Sequence, residues 1–427
     1  MPRVLLFNDT SDHPNWGAIA TPYALRRMFA DRFPEAELDF VPHTWLSHQH
    51  FQFPLPFREG LLFRQREFGL LNPFVYRLSR RHDPYPAIWD DFEYFADRWV
   101  DGRAGQLATI LVGRIKAADA VVHNGENSLY RNSDPGMRAL FLLWLAKTRY
   151  GKVAAEINHT AALANMTRPI MLGVAQNVLP KLDLVAVRES RSLQDLHQIG
   201  VDNAELYPDA VFYLGGGFSL PGEGVSELGK PDIAGDYFCF SASALPTSVP
   251  RKDWPGTVQQ LISRIAQFPL RPVLVAKDDH CQYLREVASA TGGIFFGPEH
   301  HFSHLWPLFR RARFLITGHY HYAIIASQVG CPFLPLTTNN HKMAGLAEQL
   351  KWPWRDPFDA TALGPVSEQI VADARKIHMS RETYAVPLEK RARELTDETG
   401  QLIDRLRDIM KPQSFAGGSV LRRAVHE

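Results

Sequence analysis

The chain has 427 residues, 45% hydrophobic and 22% charged, with 47 Lys and Arg against 46 Asp and Glu for a formal net charge of +1. That is ordinary globular usage with enough length for two domains with separate cores, and the near-neutral balance excludes the basic stripe of a nucleic-acid binder. Cys239, Cys281 and Cys331 are an odd, scattered set without paired metal-ligand spacing, so no disulfide framework and no metal site is expected, only reduced core or loop thiols.

Met1-Pro2-Arg3 runs straight into VLLFN, too short an apolar run for a signal peptide, and no segment approaches the length of a membrane span. A cytoplasmic protein is expected. Val4 to Asn8 reads as a first buried strand, and the loop after it carries Asn15 and Gly17, where glycine permits close approach of backbone to a ligand. A strand at Glu37 to Val41 precedes residues 43–103, rich in His, Phe, Trp, Pro and Arg and too long for a plain connection. It reads as a lid or an inserted subdomain. Its aromatics suit either sugar stacking or a small core of their own. Strands follow at Ala120 to His123, Val153 to Ile157, Leu184 to Val187 and Glu205 to Tyr207. Gly125 and Glu126 cap the first of these, and Arg188 ends the third, where it can hold an anion or pair with Glu189 or Asp209. Asp209, after Pro208, reads as a turn and capping residue. Residues 1–212 thus form an N-terminal Rossmann-like domain, and the Gly- and Pro-rich stretch 213–235 a linker.

The pattern restarts in residues 236–364, with strands at Tyr237 to Ser241, Val273 to Ala276, Gly293 to Phe296, Phe314 to Thr317 and Phe333 to Leu336. Two α/β halves of mainly parallel sheet facing each other across a cleft make a glycosyltransferase-B-like architecture. Lys277 ends one strand, and Thr317-Gly318-His319-Tyr320-His321-Tyr322 joins another to a helix over Ala323 to Val329. Ligands of parallel α/β sheets bind outside the carboxyl ends of the strands, and a helix N-terminus there favours anions. The bland alternative is a pair of histidines at a surface turn. Lys342 opens a later helix, within reach of a phosphate or simply solvated. Residues 365–427 are read as C-terminal helices packing back across the domains, then a frayed tail whose Leu421-Arg422-Arg423 offers a peripheral membrane contact or is merely solvated.

Four segments, in order and spacing, resemble the polysaccharide pyruvyl transferase family: NDTSDHPNWGAIAT (Asn8 to Thr21), VVHNGENSLY (Val121 to Tyr130), the VAVRESRSLQDLHQIGV…LYPDAVF block, and the turn T-G-H-Y-H-Y with Gly330-Cys331-Pro332. The resemblance covers roughly residues 1 to 350, with departures: His319 stands at the family's arginine, Tyr322 at its glycine, and Asn127 at a small residue. It implies a transferase that moves a pyruvyl group from phosphoenolpyruvate to hydroxyls of a cell-surface or secreted saccharide, forming a ketal, with no cofactor. The acceptor would be a saccharide or lipid-linked saccharide. Such chemistry needs an acid, a base and a cradle for three negative charges. His321 is the proton-transfer candidate and Glu126 the acceptor of a hydroxyl proton. Arg188, Asn15, Gly17, Gly125, Lys277 and Lys342 are the binding candidates, with His319 assisting the anion once protonated. The alternatives are a glycosyltransferase with a nucleotide-sugar donor, or a non-catalytic saccharide-assembly protein.

Overall fold

A computed structural model describes residues 1–11, 13, 15–47, 84–129, 134–163, 169–218, 233–244, 254–278 and 281–411. Most of the 43–103 insertion, much of the 213–235 linker and the tail with Leu421-Arg422-Arg423 lie outside the described residues.

The N-terminal half is a parallel sheet of β1 (Arg3–Asp9), β2 (Glu37–Pro42), β3 (Ala120–Leu129), β4 (Val153–Ala161), β5 (Leu184–Val187) and β6 (Ala204–Leu206), in the order β2-β1-β3-β4-β5-β6. The C-terminal half is a second parallel sheet of β7 (Tyr237–Ser243), β8 (Arg271–Val275), β9 (Ile294–Phe296), β10 (Leu315–Gly318) and β11 (Phe333–Pro335), in the order β11-β10-β7-β8-β9. Every expected strand is present, β5 with the expected ends and the others with ends shifted by a residue or several. The described helices are α1 (Trp16–Arg32), α2 (His43–Ser47), α3 (Phe92–Val100), α4 (Gln106–Ala117), α5 (Asp134–Tyr150), α6 (Pro169–Val178), α7 (Ser190–Gln198), α8 (Trp254–Ile265), α9 (Tyr283–Ala290), α10 (Leu305–Arg311), α11 (Tyr320–Gln328), α12 (Lys342–Gln349), α13 (Leu363–Met379) and α14 (Arg381–Met410).

Strands buried on both faces explain the unbroken apolar runs. In β1, Val4 and Leu6 enter one core while Leu5 and Phe7 enter another, the period-2 alternation of a strand. The core that takes Val4 and Leu6 also takes Cys239, Val273 and Leu315 from the second sheet and Leu395, Leu402 and Ile403 from α14. One apolar core therefore spans both halves.

The C-terminal run divides at Ser380 into two helices, and the long α14 returns to the first domain. Arg405 pairs with Glu205 at 2.9 Å, Arg407 donates to the Arg32 carbonyl at 2.7 Å and Thr396 donates to the Phe212 carbonyl at 2.9 Å. A second tie joins α7 to α12, where Arg191 meets Glu348 at 2.7 Å and Ser190 donates to the same carboxylate at 2.8 Å.

Candidate active site between the two sheets

The carboxyl ends of β1, β3 and β4 are neighbours, and each carries a non-glycine residue in the left-handed region: Asn8 at φ 67°, Glu126 at φ 37° and Asn158 at φ 52°. Such backbone persists only where its surroundings hold it. Asn8 Nδ2 donates to the Asn124 carbonyl at 2.7 Å, Asn158 Nδ2 donates to Asn124 Oδ1 at 3.2 Å, and Asn158 Oδ1 accepts from the Ala210 N–H at 3.0 Å. Behind them the buried Glu156 faces His123 Nδ1 at 2.7 Å and His159 Nδ1 at 2.9 Å. Burial alone would raise the Glu156 carboxyl, but the two imidazoles outweigh it and bring it to about 2. A Cβ at Gly125 would run into Glu156 and His159, so only glycine fits where β3 turns toward Glu126.

The opposite wall is built from the end of β10. Thr317 Oγ1 accepts the His319 N–H at 2.9 Å, and His319 is the N-cap residue of α11. The helix thus starts at Tyr320, earlier than the expected Ala323, and His321 lies in its first turn. The sequence reading gives His319 an anion-binding role only once it is protonated. The ring is buried, and burial together with Lys277, Lys342 and His321 pushes its pKa well below the usual histidine value. It stands as a neutral imidazole at neutral pH.

His321 reaches across to the first domain, its Nε2 lying 3.6 Å from Asp209 Oδ2, at the edge of hydrogen-bond reach. The same carboxylate accepts from Arg188 Nη1 at 2.7 Å, while Asp209 Oδ1 caps the following turn through the Val211 N–H at 2.9 Å. Capping was the expected role of Asp209, and pairing with Arg188 was one of the two expected roles of that arginine; only the contact with His321 was not expected. Burial would raise this carboxyl, but His321 and Arg188 together hold it at about 2. Arg188 also donates from Nε to Thr160 Oγ1 at 2.7 Å, and its guanidinium lies 4.8 Å over the Tyr320 ring. Both expected roles coexist, since Arg188 is paired with Asp209 and lines the cleft.

Asn15, Gly17, Glu126, Arg188, Lys277, His319, His321 and Lys342 line one cleft of ≈ 200 Å³. Gly125 sits behind it. Asn15 Oδ1 caps α1 by accepting the Gly17 N–H at 2.9 Å, and a Cβ at Gly17 would collide with the His321 ring. Lys277 lies 3.2 Å from Asp278. Tyr320, Tyr322 and Asn339 also line the cleft and were missed. The two tyrosines alternate with the histidines in the recognised turn, a placement that made the signal readable had the helix start been set correctly. His319 Nε2, Tyr320 Oη, His321 Nε2 and Tyr322 Oη are buried without a hydrogen-bond partner. All four belong to the N-cap and first turn of α11. All three cysteines are buried and free, and none lines the cleft.

The family model of polysaccharide pyruvyl transferases matches residues 15–340, a span that includes all of these cleft residues except Lys342. The chain belongs to that family. No curated protein matches it in sequence. Solved structures of similar shape include Anabaena HepE in complex with UDP (TM-score 0.53, 13% identity, 96% of this chain and 100% of that one). The UDP-GlcNAc 2-epimerase of Neisseria meningitidis bound to UDP-GlcNAc has TM-score 0.56 at 10% identity, over 96% of this chain and 100% of that one. The epimerase of Methanocaldococcus jannaschii has TM-score 0.56 at 10% identity, over 96% and 99%. At these identities the likeness concerns the fold: this pyruvyl transferase family member has the two-domain, glycosyltransferase-B-like architecture. Among its described residues no helix is long and apolar enough to cross a membrane.

Proposed function

We propose that this protein transfers the pyruvyl group of phosphoenolpyruvate to two hydroxyls of a saccharide, free or lipid-linked, closing a ketal. The observation that carries the reading is the convergence of Arg188, Lys277 and Lys342 on one cleft with His321, whose Nε2 faces Asp209 Oδ2 at 3.6 Å. The donor carries three negative charges, and cations held in a sheltered site stabilise them far better than in water. In the reaction the donor's methylene gains a proton, a hydroxyl attacks the resulting cationic carbon, phosphate leaves and the second hydroxyl closes the ring. Of the two hydroxyl protons, one ends on the new methyl group and the other on phosphate, so the overall reaction neither takes up nor releases a proton. His321, oriented by Asp209, serves the proton transfer at the donor, and Glu126 receives the proton of the attacking hydroxyl.

A second reading, transfer from a nucleotide sugar, draws on the UDP complex of the similarly folded HepE. The cleft of ≈ 200 Å³ lies below the roughly 300–1,000 Å³ typical of drug-sized ligands, which suits a small phosphorylated acid better. Thermal unfolding with phosphoenolpyruvate and with a panel of nucleotide sugars separates the two. A selective donor at a hundredfold excess over its dissociation constant stabilises by about 2.7 kcal/mol. Stabilisation by phosphoenolpyruvate, with phosphate release in the presence of acceptor saccharides, supports pyruvyl transfer. A response to a nucleotide sugar alone replaces it with the second reading, and silence toward every donor favours a non-catalytic saccharide-assembly protein.

A further inference from the structure

Lys342 is the cation of the cleft whose charge is held least firmly by the protein. It opens α12 and is 7% exposed. Its backbone N–H is held by Asn340 Oδ1 at 3.1 Å, yet among the described residues its amine enters no hydrogen bond or ion pair while it lines the cleft. The groups around it come from both domains: Arg188 and Glu189 after β5, Glu126 from β3, Lys277 after β8 and the neutral His319 before α11. His341, beside it, is 3.5 Å from Glu189. The positive end of the α12 dipole also falls on this first turn. Burial first, then Arg188 and Lys277, outweigh Glu126 and Glu189 and bring the amine down to about 7.

We propose that Lys342 couples anion binding to proton uptake: a doubly charged anion enters the cleft together with one proton, which is bound by the Lys342 amine. The inference rests on reading the cleft as the site of a phosphorylated donor. An incoming dianion offsets the repulsion from Arg188 and Lys277 and supplies the missing acceptor. By linkage, whatever strengthens the proton's hold strengthens the anion's by the same amount. The amine's lone pair takes the proton from a buffer acid, whose own bond to hydrogen breaks and leaves its electron pair on the conjugate base. Because the overall reaction consumes no proton, this one is released when the products leave.

Sulfate is the decisive probe, since it is a tetrahedral dianion that does not titrate near neutrality. Calorimetric titration of the whole protein at pH 8, in buffers of different ionisation enthalpy, is expected to show uptake of most of one proton per site. Between pH 7.5 and 9 the affinity is expected to fall by about tenfold per pH unit. Lys342→Arg keeps the charge without the titration, so it is expected to bind sulfate with no uptake and with pH-independent affinity. Lys342→Met is expected to lose both uptake and affinity. Sulfate binding without uptake in the wild type, uptake that persists in Lys342→Arg, or no sulfate binding at all overturns the proposal. Uptake with sulfate but no binding of phosphoenolpyruvate leaves the coupling standing and removes pyruvyl transfer instead.

Discussion

His321 and Asp209 meet across the two domains at 3.6 Å, so the pair exists only when both halves of the chain are in place. If His321 moves a proton, His321→Ala is expected to lower turnover by roughly two to four orders of magnitude with little change in fold. Asp209→Asn should lower it too, while also leaving the buried Arg188 without its carboxylate partner. Comparing the two by turnover and by circular dichroism checks the assignment, and unchanged turnover in His321→Ala removes that residue from the mechanism. Lys342 supplies a second test, of stability. Its ordinary value of 10.5 falls to about 7 in the folded protein, so between these values the unfolded chain binds more protons and stability rises with pH. The penalty is full below pH 7 and gone above the ordinary lysine value. Lys342→Met is therefore expected to raise the melting temperature at pH 6 to 7, with the gain fading toward pH 10.5. A gain that does not depend on pH would show that packing, not charge, is responsible.

At the scale of elements, α1 shows how a local fault is repaired from a distance. Pro22 lies within the helix and has no N–H for the Ala18 carbonyl. Thr10 Oγ1, in the loop before the helix, donates to that carbonyl at 2.7 Å. The repair ties the first loop to the helix that presents Gly17 to His321. Thr10→Val preserves the shape and removes the donor, so it is expected to cost about 1–3 kcal/mol, read as a shift in urea midpoint. A neutral result would mean that the carbonyl finds another partner. The turn before α11 is the other element that decides the site. Its two histidines were visible in the sequence, but the assignment of His319 as N-cap and His321 as first-turn residue depends on Thr317 and on which rings burial takes in.

For the molecule as a whole, the shared apolar core predicts that the two halves unfold together. Leu402 on α14 is 1% exposed within that core. Leu402→Ala is expected to cost about 2–5 kcal/mol and to shift one common denaturation midpoint, followed by probes placed in each domain. Separate transitions, with only one domain responding, would show that the halves are energetically independent and that α14 serves merely as a strap.

Short apolar runs, period-2 alternation and Gly-Pro punctuation are local properties, and from them came the eleven strands of the described residues and the two-sheet architecture; together with the family resemblance they also gave the candidates Asn15, Gly17, Glu126, Arg188, Lys277, His319, His321 and Lys342, because strand ends in parallel sheets face the cleft wherever the sheets come to lie. Charge state was not legible, and of the partnerships only the pairing of Arg188 with Glu189 or Asp209 was in view. That His319 is neutral, that Lys342 is poised near neutrality and that Asp209 serves Arg188 and His321 as well as its own turn were decided by tertiary structure. Desolvation and Coulomb interaction depend on which groups from distant segments are buried side by side, and no spacing along a single chain encodes that distance.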